Sequence, residues 1–292
     1  MRARKSLWTN GIRTALGLGR GTRAKILPAM LFLFAILTAV IMALVVSAAG
    51  TEEDLPSHAD YYRIVSVVLL IFSAIIAPEL LCPDRREGVI YLYLVRPLTT
   101  TDYVAGRWFA FFSVSMALIC SGQLILFIGY TLAADEPLSY LWDNWLDVPR
   151  FLGAGLVIAS FTTTLPLAIS AFTTRKAYAA SFVIGIFFIS AIIAGIMTEC
   201  DPNDLPSHGS SSYETALEEC EPRTGEVGKW LGLIAIGQVP GHVSDLIMDD
   251  DSTSQVARQV RKLPTAIPVL WYLIMTAGPG FILCERYRRL RI

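Results

Sequence analysis

The chain has 292 residues, of which 54% are hydrophobic and 17% are charged, whereas soluble domains average about 45–50% and about 25%. This balance excludes an ordinary soluble globular domain and predicts a protein that lies in a membrane. The net charge of −1 carries no information about partners, because it is the sum of two oppositely charged sides of the molecule.

Six long apolar stretches follow a basic N-terminal segment. Each is long enough to cross a bilayer as a helix of about 20 residues, and the segments between them are too short and polar to form a separate soluble domain. We therefore expect an all-α integral membrane protein that forms a single domain over residues 1–292. The predicted spans lie near residues 26–49, 64–81, 108–134, 151–172, 177–198 and 267–284.

The distribution of lysine and arginine predicts that both termini are cytosolic. The N-terminal segment, the loop after the second span, the turn after the fourth span and the C-terminal tail hold 17 of the 24 basic residues. The opposite side holds 20 of the 25 acidic residues. Because basic residues favour the cytoplasmic side of a membrane, we expect a multi-pass protein of the plasma membrane with these four segments in the cytosol.

The loop between the second and third spans is the most informative feature of the sequence. Residues 84–95 are expected to form a short helix, because Asp84 and Glu87 come early in it and acidic residues favour a helix N-terminus. The seven apolar residues 89–95 are too few to cross a bilayer. The loop helix is therefore expected to lie on the membrane or in a groove of a partner protein.

The sequence also predicts where this loop ends and the third span begins. Arg96 and Pro97 break the loop helix, because proline disfavours a helical conformation in the residue before it. Thr99 and Asp102 then form a near capping box, with aspartate in place of the usual glutamate.

The spans themselves carry no charge near their centres, which disfavours a proton or ion relay. Glu79, near the cytosolic end of the second span, is the nearest exception, and it is expected to pair with Arg85 or Arg86.

Residues 227–248 raise the question of a seventh span. The segment starts as an apolar run, but Gln238, Pro240, His242 and Asp245 follow quickly. A seventh span would place the four C-terminal arginines outside, against the charge rule. We therefore expect an interfacial or re-entrant helix pair between the fifth and sixth spans, buried against protein.

No motif for enzyme chemistry is present in the sequence. The chain lacks the Gly-x-x-x-x-Gly-Lys-Ser/Thr loop that cradles nucleotide phosphates, so it is expected to bind no nucleotide or other cofactor. His58, His208 and His242 fall on separate predicted outer loops without metal-ligand spacing. The chain is therefore expected to be neither an enzyme nor a metal protein.

Cys200 and Cys220 both fall in the outer loop after the fifth span. A disulfide between them would close a ring of 21 residues, worth about 3 kcal/mol in the loop-entropy model. Two unpaired thiols remain the alternative, because disulfides depend on an oxidising compartment.

The loop sequence resembles the signature of ABC-2-type transporter permeases, in which an acidic-Gly element, an Arg/Ser-Pro break and a Gly-Lys/Arg step follow the second helix. The basic segment Leu7–Leu18 likewise resembles the interfacial elbow helix of that family, and residues 227–248 resemble its outer re-entrant segment. The residues that carry the loop signature are Asp84, Arg85, Arg86, Glu87, Gly88, Leu92, Leu94, Arg96, Pro97, Tyr103, Gly106 and Arg107.

The resemblance implies the permease subunit of an ATP-binding-cassette exporter. Two separate ATP-binding subunits would bind Mg-ATP and contact the signature residues, and the loop helix 84–96 would act as a coupling helix. A second permease copy or a paralogue would complete the assembly in the lipid bilayer, with no nucleic acid. The alternative from the sequence is a stand-alone six-helix scaffold or sensor whose loop only lies on the membrane.

Overall fold

The computed structural model describes residues 2–18, 22–49, 56–88, 99–200, 220, 222, 224–250 and 254–289. These residues form helices and connecting turns, and no strand lies among them. The helices are α1 (Arg2–Ala15), α2 (Thr22–Ala49), α3 (His58–Arg86), α4 (Thr100–Ala133), α5 (Pro137–Asp143), α6 (Asp147–Ser170), α7 (Lys176–Thr198), α8 (Val227–Leu231), α9 (Val239–Met248), α10 (Gln255–Arg261) and α11 (Ala266–Arg289).

The six predicted spans are confirmed as α2, α3, α4, α6, α7 and α11, each long and apolar enough to cross a membrane. Several of these helices are longer than the span predicted for them, and α3 extends beyond its predicted span by several residues at each end. Three spans form the inside of the bundle. In α3, α4 and α6, respectively 56%, 50% and 61% of the most apolar stretch of the helix is buried. By contrast, only 17–22% of the corresponding stretch is buried in α2, α7 and α11, so these three spans lie at the periphery.

The bundle has two ends of opposite charge, which we call the basic end and the acidic end. The basic end comprises α1, the end of α3, the start of α4, the turn between α6 and α7, and the end of α11. The acidic end comprises the start of α3, helix α5, the end of α7, and helices α8 and α10. The basic end therefore collects the segments that the sequence assigns to the cytosol.

The segment α8–α9 enters the bundle from the acidic end. Just before α8, the hydroxyl of Thr224 donates to the carbonyl of Met197, 2.7 Å away at the end of α7. Further on, the amide of Ile236 donates to the hydroxyl of Ser190, 3.3 Å away and seven residues earlier in α7. Seven residues of helix rise about 10 Å, so the chain descends by about that depth between the two contacts.

The same segment then returns to the end from which it came. Gly237 lies beside Leu70 of α3, and Asp250 accepts from Arg63, 3.2 Å away and near the start of α3. The two helical halves meet at a bend of 82°. This path is the re-entrant arrangement expected from the sequence. Gly232, Leu233 and Ala235, next to the bend, are buried, as irregular backbone within a membrane requires.

Two of the three histidines lie inside helices, which corrects their predicted placement on outer loops. His58 is buried at the start of α3, where its Nδ1 bonds the Gln123 side-chain oxygen at 2.7 Å and its carbonyl accepts from the Gln123 amide at 2.9 Å. His242 is buried in α9, and His208 lies outside the described residues. Each buried imidazole sits on a different helix, and no group of three or more metal-ligating side chains occurs among the described residues.

Candidate functional site

The candidate site is the base of the loop between α3 and α4, at the basic end. The structure describes this loop up to Gly88 and again from Thr99. Four of the predicted site residues, Leu92, Leu94, Arg96 and Pro97, lie outside the described residues, as does most of the predicted loop helix. The eight other predicted residues of the loop signature are described and fall into a buried group and an exposed group.

Asp84 lies in the last turn of α3, which corrects its predicted place at the start of a loop helix. A carboxylate is unfavourable near a helix C-terminus, where the backbone carbonyls carry partial negative charge. Two charge-assisted contacts offset this cost. The carboxylate accepts from the Tyr103 hydroxyl at 2.6 Å and from the Arg107 guanidinium at 2.5 Å. Asp84 thereby joins the end of α3 to the start of α4.

Tyr103 and Arg107 reach the same carboxylate because residues four apart share one face of a helix. The Arg107 guanidinium also lies over the Tyr103 ring, 5.6 Å from its centroid. The Tyr103 ring in turn packs against the Tyr287 ring of α11, with the two ring centroids 5.7 Å apart. Only 4% of the Arg107 side chain and 16% of the Asp84 side chain are exposed. We call these four residues, Asp84, Tyr103, Arg107 and Tyr287, the loop clamp.

The capping box predicted at the start of the third span is confirmed. The Thr99 hydroxyl accepts from the Asp102 amide at 3.1 Å, and the Asp102 carboxylate accepts from the Thr99 amide at 3.2 Å. The same carboxylate pairs with Arg4 of α1 at 2.9 Å. Because 71% of the Arg4 side chain is exposed, this ion pair contributes at most about 1 kcal/mol.

Helix α1 lies closely against α4, and two glycines allow this approach. A methyl group on Gly11 would lie 2.5 Å from the Ala110 side chain, and one on Gly106 would lie 2.7 Å from the Leu7 side chain. Small residues at such a contact let helix backbones approach each other in a membrane. Gly106 of the loop signature is thus required for packing within the chain.

The end of α3 is also attached to the turn between α6 and α7. The Arg85 guanidinium donates to the carbonyl of Ala171, and to that of Thr173 at 3.4 Å. Glu79 pairs with Lys176 at 2.7 Å, which corrects its expected pairing with Arg85 or Arg86. Lys176 lies 97 residues further along the chain, so this partner was not visible in the local sequence.

Arg86 and Glu87 form the exposed group, and the half-buried Gly88 follows them. The side chains of Arg86 and Glu87 are 66% and 57% exposed, and open space surrounds Gly88. Glu87 caps the C-terminus of α3, and Gly88 follows with a φ of +67°. A glycine in this left-handed conformation commonly ends a helix, so the backbone alone accounts for Gly88.

Cys200 and Cys220 lie at the acidic end, far along the chain from this site. The structure joins them in a disulfide, with their Cα atoms 6.0 Å apart. The bond connects the end of α7 to the segment before α8, and the Gln259 amide donates to the carbonyl of Cys220 at 3.1 Å. The disulfide therefore holds the segment before α8 to the end of α7, and the Gln259 hydrogen bond attaches the same segment to α10.

Arg63 is a further polar contact that the sequence pattern did not single out. It pairs with Asp60 at 2.6 Å, one turn earlier in α3, and with Asp245 of α9 at 3.7 Å in addition to Asp250. Ser57 and Asp60 form a capping box at the start of α3, and the Ser-x-x-Asp spacing was the one local signal for this structure.

Comparison with known proteins identifies the class of this chain. A family model described as "ABC-2 family transporter protein" matches residues 24–217, which include five of the six spans and every residue of the loop signature. A search of curated proteins found no match.

Removal of Arg107 should destabilise the protein strongly. In Arg107→Met, the Asp84 carboxylate loses its counter-ion at a largely buried position, which typically costs about 3–5 kcal/mol. Arg86→Met is the matched control, because this exposed arginine contributes at most about 1 kcal/mol. Thermal unfolding of the purified variants in detergent measures both effects. Equal melting temperatures for the two variants would contradict the assignment of the loop clamp.

Proposed function

Because the chain belongs to the ABC-2 transporter family, we propose that it is the permease subunit of an exporter that separate ATP-binding subunits drive through residues 84–96. Membership makes the chain the membrane component of an ABC transporter. The loop clamp is the observation that carries the proposed mechanism, because it closes both ends of the driven segment with a buried ion pair.

In this mechanism, the partner contacts the exposed group and the clamp passes the force to the spans. Arg86 and Glu87 project from the end of α3, where a partner at the basic end can reach them. Tyr103 and Arg107 are 1% and 3% exposed, so we assign them to transmission within the chain. A displacement of the loop then moves α3, α4 and α11 together, with α1 following through its close contact with α4.

The energy source lies on the partner. The sequence contains no phosphate-binding loop, so we propose that two ATP-binding subunits hold Mg-ATP beneath the basic end. A second permease copy or a paralogue completes the assembly in the lipid bilayer. The peripheral spans α2, α7 and α11 support this proposal, because they leave large apolar faces available for a neighbouring helix.

We assign the basic end to the cytosol and the protein to the plasma membrane. The Lys and Arg bias supports this orientation, which places both termini in the cytosol and the substrate path between the cytosol and the exterior. The absence of a charge near the centre of any span favours amphiphilic cargo over an ion relay.

Single cysteines at the two ends test the orientation. We expect a membrane-impermeant maleimide, applied to intact cells, to modify Glu136→Cys at the acidic end and to spare Glu87→Cys at the basic end. Both positions are exposed, and the unsubstituted chain provides the background. After the cells are permeabilised, both variants should react. If Glu87→Cys alone were modified in intact cells, the basic end would lie outside and the proposed orientation would be wrong.

Charge reversal at Glu87 tests the coupling mechanism. A positive charge at the C-terminus of α3 favours the helix dipole by about 0.3–1 kcal/mol, so Glu87→Arg should fold at least as well as the unsubstituted chain. At a docking surface, a charge clash costs several kcal/mol. We therefore expect co-purification of the ATP-binding subunit to fall by about tenfold or more, and transport to be lost.

Glu136→Arg is the matched control, since it reverses an exposed acid at the opposite end and should leave both readouts unchanged. Gly88 is less suitable, because any side chain there strains a left-handed backbone. If Glu87→Arg retains its partner and its transport, residues 84–96 are not the coupling element and α1 becomes the next candidate. If the unsubstituted chain co-purifies with no ATPase, the protein is a stand-alone scaffold or sensor.

A further inference from the structure

An apolar groove lies on the membrane-facing side of the bundle, near the basic end. Its volume is about 500 Å³, and it runs between α6, α7 and α11. The lining includes Leu165, Ile169 and Phe172 of α6, Tyr178 and Phe182 of α7, and Ile282 of α11. From Leu165 to Phe172 the groove follows seven residues of chain, about 10 Å of helix, which fits within one leaflet of a hydrocarbon core about 30 Å thick.

Two arginines stand at the rim of this groove, each held on an aromatic ring that lines it. The Arg286 guanidinium lies 5.5 Å from the centroid of the Phe172 ring, and the Arg175 guanidinium lies 5.5 Å from that of the Tyr178 ring. Such cation–π contacts hold a guanidinium in place without neutralising its charge. Both side chains are exposed, and within the described part of the chain neither forms an ion pair.

The other charged groups around the groove are already paired. Lys176, next to Arg175, bonds Glu79, and Glu285, next to Arg286, bonds Arg289 at 3.0 Å. Each of the five acids at the basic end faces a basic side chain: Glu79 with Lys176, Asp84 with Arg107, Glu87 with Arg86, Asp102 with Arg4, and Glu285 with Arg289. Among the described residues, a second copy of this chain would therefore bring no unpaired carboxylate side chain from its basic end to the two arginines.

We propose that this groove binds an anionic phospholipid of the surrounding bilayer, with an acyl chain along the apolar lining and the phosphate between Arg175 and Arg286. Guanidinium groups bind phosphate through charge-assisted hydrogen bonds, and basic pockets between spans are recognised sites for anionic headgroups. An acyl chain is required to fill the apolar lining, so a free phosphate ion would leave most of the groove empty.

A second groove on the same chain supplies the contrast. It has a volume of about 410 Å³ and lies between α2 and α4 near the acidic end, with Leu44, Ile128 and Leu132 among its lining residues. No lining residue of this groove carries a charge. It should therefore accept an acyl chain without regard to the headgroup.

The test is a competition between phosphatidylglycerol and phosphatidylcholine of identical acyl chains. The purified chain is incubated with equal amounts of both lipids in mixed micelles, and the bound lipid is counted by native mass spectrometry. The unsubstituted chain should retain phosphatidylglycerol preferentially. Each basic side chain near an anionic lipid changes the affinity about fivefold, so Arg175→Gln together with Arg286→Gln should lower the preference by about tenfold or more.

The matched control removes two positive charges at the same end but on α1, in Lys5→Gln together with Arg13→Gln, because both side chains are exposed and neither forms an ion pair within the described part of the chain. We expect this control to change the preference by less than about twofold, because exposed charges farther away are largely screened. Ile282→Trp keeps the arginines but fills the groove, so it should reduce retention of phosphatidylglycerol. Thermal unfolding confirms that every variant is folded.

Three results would overturn the proposal. The preference for phosphatidylglycerol could fall equally in both double variants, which would indicate that the lipid is attracted to the overall positive charge of the basic end. The preference for phosphatidylglycerol could also remain unchanged in Arg175→Gln with Arg286→Gln. Finally, Ile282→Trp could alter the oligomeric state while lipid retention stays the same, which would identify the groove as an interface between copies.

Discussion

The ion pair between Asp84 and Arg107 is the contact on which the basic end depends. Both side chains are largely buried, and the carboxylate also accepts from Tyr103. A buried charge without its partner is costly, so this ion pair favours the state in which α3 and α4 are joined at this point. The aromatic contact of Tyr103 with Tyr287 also joins α11 to these two helices. The base of the loop is thereby attached to three spans, and in the proposed transporter a force on its exposed residues would reach all three.

Each end of the bundle is cross-linked by its own polar contacts. At the basic end, Arg85 attaches α3 to the turn after α6. At the acidic end, Arg63 attaches α3 to the re-entrant segment, and the disulfide of Cys200 and Cys220 attaches that region to the end of α7. Helix α3 therefore takes part in the polar contacts of both ends. In the proposed transporter, a displacement at the basic end is carried through α3 to the re-entrant segment at the opposite end.

The sequence predicted those features that depend on local physics. Apolar length alone located the six spans, since the bilayer sets the length of a crossing helix, and the spacing of Thr99 and Asp102 located the start of α4. The prediction for Asp84 was wrong, because an acid near a helix end is oriented by its partner, and Arg107 lies 23 residues away. Glu79 and Lys176 are separated by 97 residues. His58 was placed on a loop because the predicted span began at residue 64, whereas α3 begins at His58 and Gln123 bonds Nδ1 of the buried imidazole. Pairings across the fold, unlike helix lengths, leave little trace in a single sequence.

The proposed coupling requires that the basic end moves as one unit when ATP binds to the partner. Spin labels on Asn10 of α1 and Thr174 of the turn between α6 and α7 test it most directly, because both positions are exposed and neither belongs to the loop signature. Pulsed electron resonance on the assembled transporter gives their separation with and without ATP. We expect the same distance in both states, and a broader distribution of distances once Arg107 is replaced by Met. A distance that changes on ATP binding in the intact clamp would contradict it.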